Sequence, residues 1–433
     1  MNEVNQPISR WTAAKFSLGL CALFLVVYGF CNRVTEYRSD VGVWVYDWER
    51  YIPFVPLMIV PYMSIDLFFA AAPFLCRDRA ELRTFARRIV FAVLVAAVFY
   101  LSMPLKFSFE RPPADGVLGL VVNNFRKMDL PYNQFPSLHI ALRTILADLY
   151  ARRTRGPLRW SLNAWFSLIG VSTVLTHQHH VIDIAGGFAL GLLCLYLFNP
   201  APWKLPVTRT PRVGAYYIGG AALCVAGAAL VPPGWSLLPL YPALSLFLAG
   251  GAYFGPGPAV FRKDGGRLPF ATLVLLWPVV FGQWLSTRYY ARRSRRWDEV
   301  TPNLWIGRTL TAREAAAALG AGVTAILDLT AELPEARPFA RHPHYRNLPI
   351  LDLTAPTCAQ LDEAVAFIDA HARAGGTVYV HCKAGYSRSA AVAAAYLLRT
   401  RRAPTAAAAI SALRGARDGI IVRPEALAVA GAV

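Results

Sequence analysis

The sequence predicts a multi-pass α-helical membrane bundle followed by a soluble α/β domain. Three observations carry that prediction. Hydrophobic residues make up 55% of the 433 and charged residues only 16%, with a mean hydropathy of +0.38. That composition excludes a disordered polar chain and argues against a wholly soluble protein. Runs such as Ile52–Leu75 and Val213–Val231 approach or exceed the ~18–20 residues that cross a bilayer. Beyond Trp297 the chain changes to short β-like runs alternating with Ala-rich helical ones, the pattern of a largely parallel sheet covered by helices.

Taken in order, the apolar runs predict eight spans, at residues 15–31, 52–76, 88–105, 136–150, 158–176, 181–198, 213–231 and 235–254. The first, Phe16–Phe30, lacks a small-residue cleavage site and is expected to be retained. The net charge is +18, from 44 Lys+Arg against 26 Asp+Glu. Much of the excess falls in four clusters: Arg77/Arg79/Arg83/Arg87/Arg88, Arg152/Arg153/Arg155/Arg159, Lys204/Arg209/Arg212 and Arg262/Lys263/Arg267. An inside N-terminus puts all four on the cytoplasmic side, so the basic balance predicts membrane topology and no nucleic-acid partner. Leu268–Leu285 is apolar but interrupted by Pro269 and Pro278. A re-entrant or interfacial segment is expected there, because it keeps Arg288, Arg292, Arg293, Arg295 and Arg296 inside. The expected division is a membrane domain over 1–200, further membrane helices, the re-entrant segment and a basic linker over 201–297, and the soluble domain over 298–433.

In that last region, Thr324–Thr330 and Thr377–His381 read as strands, and Thr311–Leu319, Cys358–Arg373 and Ser389–Thr400 as helices. Seven scattered cysteines without CxxC spacing indicate neither a disulfide framework nor a zinc site. No metal or other cofactor is expected.

The sharpest motif is Val378-Tyr379-Val380-His381-Cys382-Lys383-Ala384-Gly385-Tyr386-Ser387-Arg388-Ser389. A β-run delivers Cys382 to a loop that ends where a helix begins. Loop N–H groups and the positive helix end form an anion nest that lowers a thiol pKa. Arg388 is suited to bidentate contact with phosphate oxygens, and Gly385 lets the loop close. This resembles the Cys-x5-Arg phosphatases, specifically the dual-specificity branch, over roughly 300–433. The resemblance implies attack by Cys382 to form a phosphocysteine, with Ser389 easing departure of the thiolate and Lys383 and Gly385 in the phosphate cradle. It also implies an acid from a mobile loop, matched by Asp352 in Leu348-Pro349-Ile350-Leu351-Asp352-Leu353-Thr354, with Asp328 the weaker competitor inside a β-run. His381 is expected to hold the loop and tune the thiolate. The loop is also similar to that of the phosphatidylglycerophosphate phosphatases, which have Arg where this chain has Tyr386.

Three further fragments lie at one end of the predicted spans: Lys106-Phe107-Ser108-Phe109-Glu110-Arg111-Pro112, Phe135-Pro136-Ser137-Leu138-His139 and Thr176-His177-Gln178-His179-His180-Val181-Ile182-Asp183. Polar clusters beside a membrane are costly, so three of them suggest a shared site. The set resembles the type 2 phosphatidic acid phosphatase (PAP2) superfamily over roughly 15–200. The resemblance implies a phosphohistidine at His179 oriented by Asp183, a leaving-group acid at His139, and phosphate contacts from Lys106, Arg111 and Ser137. Lys106 and Arg111 have four residues between them where the superfamily has six, and Ser172-Thr173 replaces its Ser-Arg. Those departures are similar to the branch of inositol-phosphoceramide and sphingomyelin synthases. Arg143, one turn after His139, is a candidate for the absent guanidinium, with a pair to Asp183 or a snorkelling role as the alternative. His177 and His180 are expected to be outer-face polar residues.

The expected function is a bifunctional integral-membrane phosphatase of an inner or plasma membrane, with its cysteine domain cytoplasmic. Its expected partners are the bilayer, phospholipid or lipid-phosphate substrates and phosphoproteins. Two alternatives stay open: a lipid head-group phosphotransferase with an appended phosphatase, and a membrane receptor with a phosphate-binding pseudophosphatase domain.

Overall fold

The computed structural model describes residues 7–113, 115–199, 210–232 and 235–422. Lys204, Arg209, the expected boundary at 200 and the tail beyond 422 lie outside the described residues. The chain divides into two compact units, one of residues 1–202 and 231–236, the other of residues 203–230 and 237–433.

The first unit is helical: α1 (Arg10–Glu36), α2 (Ile59–Leu75), α3 (Arg79–Ser102), α4 (Gly116–Met128), α5 (Leu138–Arg153), α6 (Gly156–Leu175) and α7 (Val181–Leu197). Side chains supply the caps that backbone N–H groups at helix starts require. The Ser9, Asp78 and Ser137 side chains accept from Thr12, Glu81 and Ile140 N–H at the starts of α1, α3 and α5. A continuous apolar core joins α1, α2, α3, α5, α6 and α7. Close approach of α7 to α5 depends on glycine: a Cβ at Gly187 would lie 2.2 Å from the Ser137 carbonyl oxygen. This contact brings the two helix starts that carry the histidine motifs together, and Ser137 N–H donates to Asp183 O at 3.0 Å.

In the second unit α8 (Pro211–Ala228), α9 (Leu237–Gly251), α10 (Phe270–Leu275) and α11 (Trp277–Ala291) precede a five-stranded sheet. The strands are β1 (Trp297–Thr301), β2 (Leu304–Arg308), β3 (Val323–Thr330), β4 (Tyr345–Ile350) and β5 (Thr377–Cys382), in the order β1-β2-β5-β3-β4. Among the described strand pairs of this sheet, β1–β2 is antiparallel and the others are parallel. The helices are α12 (Ala312–Gly320), α13 (Arg337–Ala340), α14 (Cys358–Arg373), α15 (Arg388–Arg399) and α16 (Ala406–Ala416). One sheet face packs on α14, α15 and α16, the other on α12 and α13. The expected α/β character holds, and the strands and helices read from sequence fall within one or two residues of those observed.

Among the described residues, four helical segments are long and apolar enough to cross a membrane: Arg10–Glu36, Pro56–Leu75, Arg79–Ser102 and Leu237–Phe254. The other four expected spans are shorter or less apolar than that. α5 is the clearest case, at 16 residues, because it carries His139, Arg143, Asp148, Arg152 and Arg153. Leu268–Leu285 is broken between α10 and α11, where Pro278 enters the first turn of α11.

Candidate active sites

β5 is the central strand, and Cys382 is its last residue, paired in register with Arg308 of β2. Ligand sites of parallel sheets lie at this carboxyl end. The thiol is buried, accepts from Gly385 N–H at 3.3 Å and lies 3.5 Å from the Ser389 hydroxyl. Burial alone would raise its pKa, but Arg388, the Ser389 N–H and hydroxyl and the Gly385 N–H outweigh burial and leave it below the ordinary thiol value. Gly385 has φ +77°, and a Cβ there would lie 2.5 Å from the Gly307 carbonyl carbon, so the loop closes only with glycine.

Arg388 is fully buried and fixed. Its Nη1 donates to Glu332 Oε2 at 3.1 Å and to Ile350 O at 2.8 Å, and its Nη2 to Glu332 Oε1 at 2.8 Å and Asp352 Oδ1 at 3.1 Å. Asp352 also pairs with Lys383 Nζ. Burial works to raise the Asp352 carboxyl, yet Arg388 and Lys383 hold it below the usual carboxylate value. Its successor Leu353 sits at φ +60°, a strained value for a non-glycine residue.

Asp328 lies elsewhere. It is buried under the sheet end, where it pairs with Lys263 Nζ and accepts from Tyr345 OH at 2.7 Å and Thr330 N–H at 2.8 Å. His381 Nε2 lies 4.0 Å from Asp328 Oδ1 and 2.9 Å from Glu335 Oε2. Burial would lower the His381 pKa, but the Glu335 and Asp328 carboxylates raise it. Asp328, Glu335 and His381 are grouped closely enough to hold a metal ion, but Lys263 already places a positive charge on Asp328, so the donor set does not suit one.

In the first unit a cavity of about 870 Å³ is lined mostly by apolar side chains of α1, α2, α4 and α5, with His139, His179 and Asp129 on its wall. His139 stacks on Tyr62, centroids 4.2 Å apart and planes 17° apart, and its Nε2 is buried without a hydrogen-bond partner. His179 Nδ1 stands 3.6 Å from Asp183 Oδ2, while that oxygen accepts from His180 N–H at 2.9 Å. Arg111 lies over the Phe107 ring with Nε and Nη2 buried and unpartnered.

The comparisons with known proteins divide at the same place. Residues 55–197 match the family model described as PAP2 superfamily, and residues 304–428 match dual specificity phosphatase, catalytic domain. The chain joins a PAP2-superfamily domain to a dual-specificity phosphatase catalytic domain. Human dual specificity protein phosphatase 1 is 38% identical over 105 residues, 24% of this chain and 28% of that protein. Human dual specificity protein phosphatase 5 is 36% identical over 105 residues, 24% of this chain and 27% of its own length. The chain thus spans about a quarter of the length of these curated relatives. Among solved structures, PTPMT1 aligns with 31% of this chain and 90% of its own at 26% identity and a TM-score of 0.28. Human DUSP28 aligns with 31% and 90% at 31% identity and a TM-score of 0.27.

In the dual-specificity domain, the structure brings Cys382, Lys383, Gly385, Arg388, Ser389 and Asp352 into one site. Glu332, the partner that fixes Arg388, is missing from the expected set. Its signal was its place two residues after β3, at the same sheet end as Cys382. In the PAP2 domain, His139, His179 and Asp183 converge, but three expected phosphate contacts do not. Lys106 is exposed and off the cavity wall, its backbone N–H tied to Gly42 O at 3.0 Å. The Ser137 hydroxyl caps α5 instead. Arg143 turns away to α6, where Nε donates to Phe166 O at 2.6 Å and Nη2 to Ser167 Oγ at 3.4 Å. The neighbouring histidines also differ from expectation. His180 is buried between Glu49, at 3.1 Å, and Ser108, and His177 Nε2 lies 3.2 Å from Ile52 O. Asp129, which accepts from Tyr28 OH at 2.9 Å, is a cavity residue outside the three motifs.

Proposed function

We propose that the chain is an integral-membrane enzyme with two phosphoryl-transfer sites that hydrolyse phosphate esters, lipid phosphates foremost. The observation that carries the reading is the Cys382 thiol: its pKa is lowered, and it sits at the centre of sheet-end donors with a fixed guanidinium and a carboxyl within reach. The Cys382 thiolate attacks phosphorus as the ester P–O bond breaks, and Asp352 gives its proton to the leaving oxygen. Water then attacks the phosphocysteine, Asp352 takes the proton, and the thiolate departs toward the Ser389 hydroxyl. Asp352 must therefore be protonated when ester binds. A phosphate dianion that draws Arg388 and Lys383 toward itself raises the Asp352 pKa and supplies that state.

At the PAP2 site the same reading makes His179 the nucleophile, Asp183 its charge partner, His139 the leaving-group acid and Arg111 the phosphate donor. The apolar cavity suits acyl chains. With the basic clusters inside, the dual-specificity domain faces the cytoplasm, where a thiolate stays reduced.

The head-group transferase reading keeps one specific support: Thr173, at the position of the superfamily's arginine, donates its hydroxyl to the Gly170 carbonyl within α6, as Ser172 does to Ile169. Products separate the two. Labelled lipid phosphate in vesicles should yield inorganic phosphate, with an acid-labile adduct lost in His179→Ala and a thiophosphate adduct lost in Cys382→Ser. A new phosphodiester lipid would instead favour the transferase. Binding without either adduct would favour the receptor.

A further inference from the structure

The cysteine site of the second unit is bounded by side chains from apolar helices, and these contacts close into a ring. Lys383 Nζ, on the anion loop, donates to Gln283 Oε1 of α11 at 2.9 Å, and Gln283 Nε2 donates to Tyr217 OH of α8 at 3.1 Å. Tyr217 stacks on Tyr253, just past α9, with centroids 5.6 Å apart and planes 16° apart. Tyr253 OH donates to the backbone oxygen of Asp352 at 3.1 Å, and the Asp352 carboxylate returns to Lys383. A further ring contact, Tyr290 of α11 against Tyr386 of the anion loop, lies at 6.3 Å.

The acid loop has need of such support. Leu353 is half exposed and holds a left-handed φ, a conformation that persists only where neighbours impose it. The supports come from the segment Leu237–Phe254, long and apolar enough to cross a membrane, and from α11. α11 exposes Trp277, Phe281, Trp284 and Tyr289, with Arg288 over Trp284 and Arg293 over Tyr289. Exposed aromatics interleaved with arginines mark a bilayer–water boundary.

We propose that Tyr253 and Gln283 are positioning residues for the general acid. Acting through the Asp352 backbone and through Lys383, they hold the carboxyl where a leaving alkoxide takes its proton. This rests on the function proposed above and adds a dependence on leaving group. An alkoxide, the leaving group of a lipid phosphate, is too basic to depart unprotonated. A nitrophenolate departs without help. Tyr253 and Gln283 therefore govern phosphocysteine formation from alkyl esters and leave its formation from aryl esters nearly untouched, the later hydrolysis being common to both.

The test uses the full chain in phosphatidylcholine vesicles, in a His179→Ala background, with hexyl phosphate and 4-nitrophenyl phosphate as substrates. Tyr253→Phe and Gln283→Leu should each lower kcat/KM on hexyl phosphate, which covers the steps through alkoxide departure, about tenfold, a part of the ~10²–10⁴-fold that a general acid contributes. On 4-nitrophenyl phosphate kcat/KM should change less than about twofold, and the fall of hexyl phosphate kcat/KM at high pH should flatten toward that of Asp352→Asn. An equal loss of kcat/KM on both substrates would show a structural role only and overturn the proposal, as would an unchanged kcat/KM on hexyl phosphate. Two variants on separate helices keep the test available should one fail to fold. Cys382→Ser distinguishes the failures: if it still releases phosphate from both substrates, the function proposed for this site is wrong. If it is dead and the Tyr253 and Gln283 variants are not selective, the positioning role alone falls.

Discussion

Arg388 has two jobs that pull against each other. In the proposed function it must be rigid enough to present two N–H groups to phosphate, yet its charge must be available to the substrate. Glu332 provides the rigidity through two parallel hydrogen bonds of 2.8 and 3.1 Å. Because Arg388 itself stays charged, Glu332→Gln should leave the Cys382 thiol pKa near its wild-type value while lowering kcat/KM about 10- to 100-fold through misplacement of the guanidinium. Alkylation of the thiol as a function of pH, beside steady-state kinetics, separates the two effects. A rise in the thiol pKa would show that Glu332 acts on the charge instead. At this scale the grouping of Cys382, Arg388 and Asp352 was legible, because Cys-x5-Arg ties residues to a fixed local spacing. Glu332 was not, since its role arises only when β3 lies beside β5. Arg143 misled for a related reason: helix periodicity places its Cα one turn beyond His139, but its side chain turns to α6 and donates to Phe166 O.

Among the elements, the segment between α9 and α10 contributes most beyond its length. Lys263 extends from it into the sheet, where its ammonium meets the Asp328 carboxylate, Thr330 O at 3.0 Å and Thr330 Oγ1 at 2.8 Å. Both side chains are essentially fully buried. Removing one partner strands the other charge, at a cost of about 3–5 kcal/mol, while removing both costs far less. Lys263→Met and Asp328→Asn should each destabilise by about that amount, and the double variant should recover much of it, as a double-mutant cycle on thermal melting would show. Burial works to raise the Asp328 carboxyl, but Lys263 and His381 hold it below the usual carboxylate range. The folded pKa is depressed, so the stabilisation is complete above about pH 4 and is lost as pH falls through the folded value. Wild-type melting temperature should accordingly drop below pH 4, and the double variant should lose that part of the drop. Strands and amphipathic helices of this unit were readable from period and β-branched content. α4 was passed over because its 13 residues fall short of a span and carry no motif.

For the molecule as a whole, composition and packing give different information about where the second unit begins. The change of residue character at Trp297 is legible because apolar runs stop there. Packing does not stop there: Lys263, Tyr253 and Gln283 all bond to residues beyond 300, partnerships between segments far apart in sequence that leave no local signature. The consequence is measurable in fragments. A fragment of residues 298–433 keeps β2 to β5, all of β1 but Trp297 and the whole Cys-x5-Arg loop, yet leaves Asp328 buried without its lysine and the Asp352 loop without Tyr253. A fragment of residues 210–433 retains both. Expressed in matched detergent, the longer fragment should melt cooperatively and hydrolyse hexyl phosphate. The shorter should be less stable by about the 3–5 kcal/mol of an orphaned buried charge and should recover part of that deficit when Asp328→Asn is introduced. The sign of that last effect is decisive, because the same substitution destabilises the full chain. Loss of stability in both settings would mean that Asp328 serves the sheet alone, whereas opposite signs would identify Lys263 as its partner and the apolar helices as part of the catalytic unit.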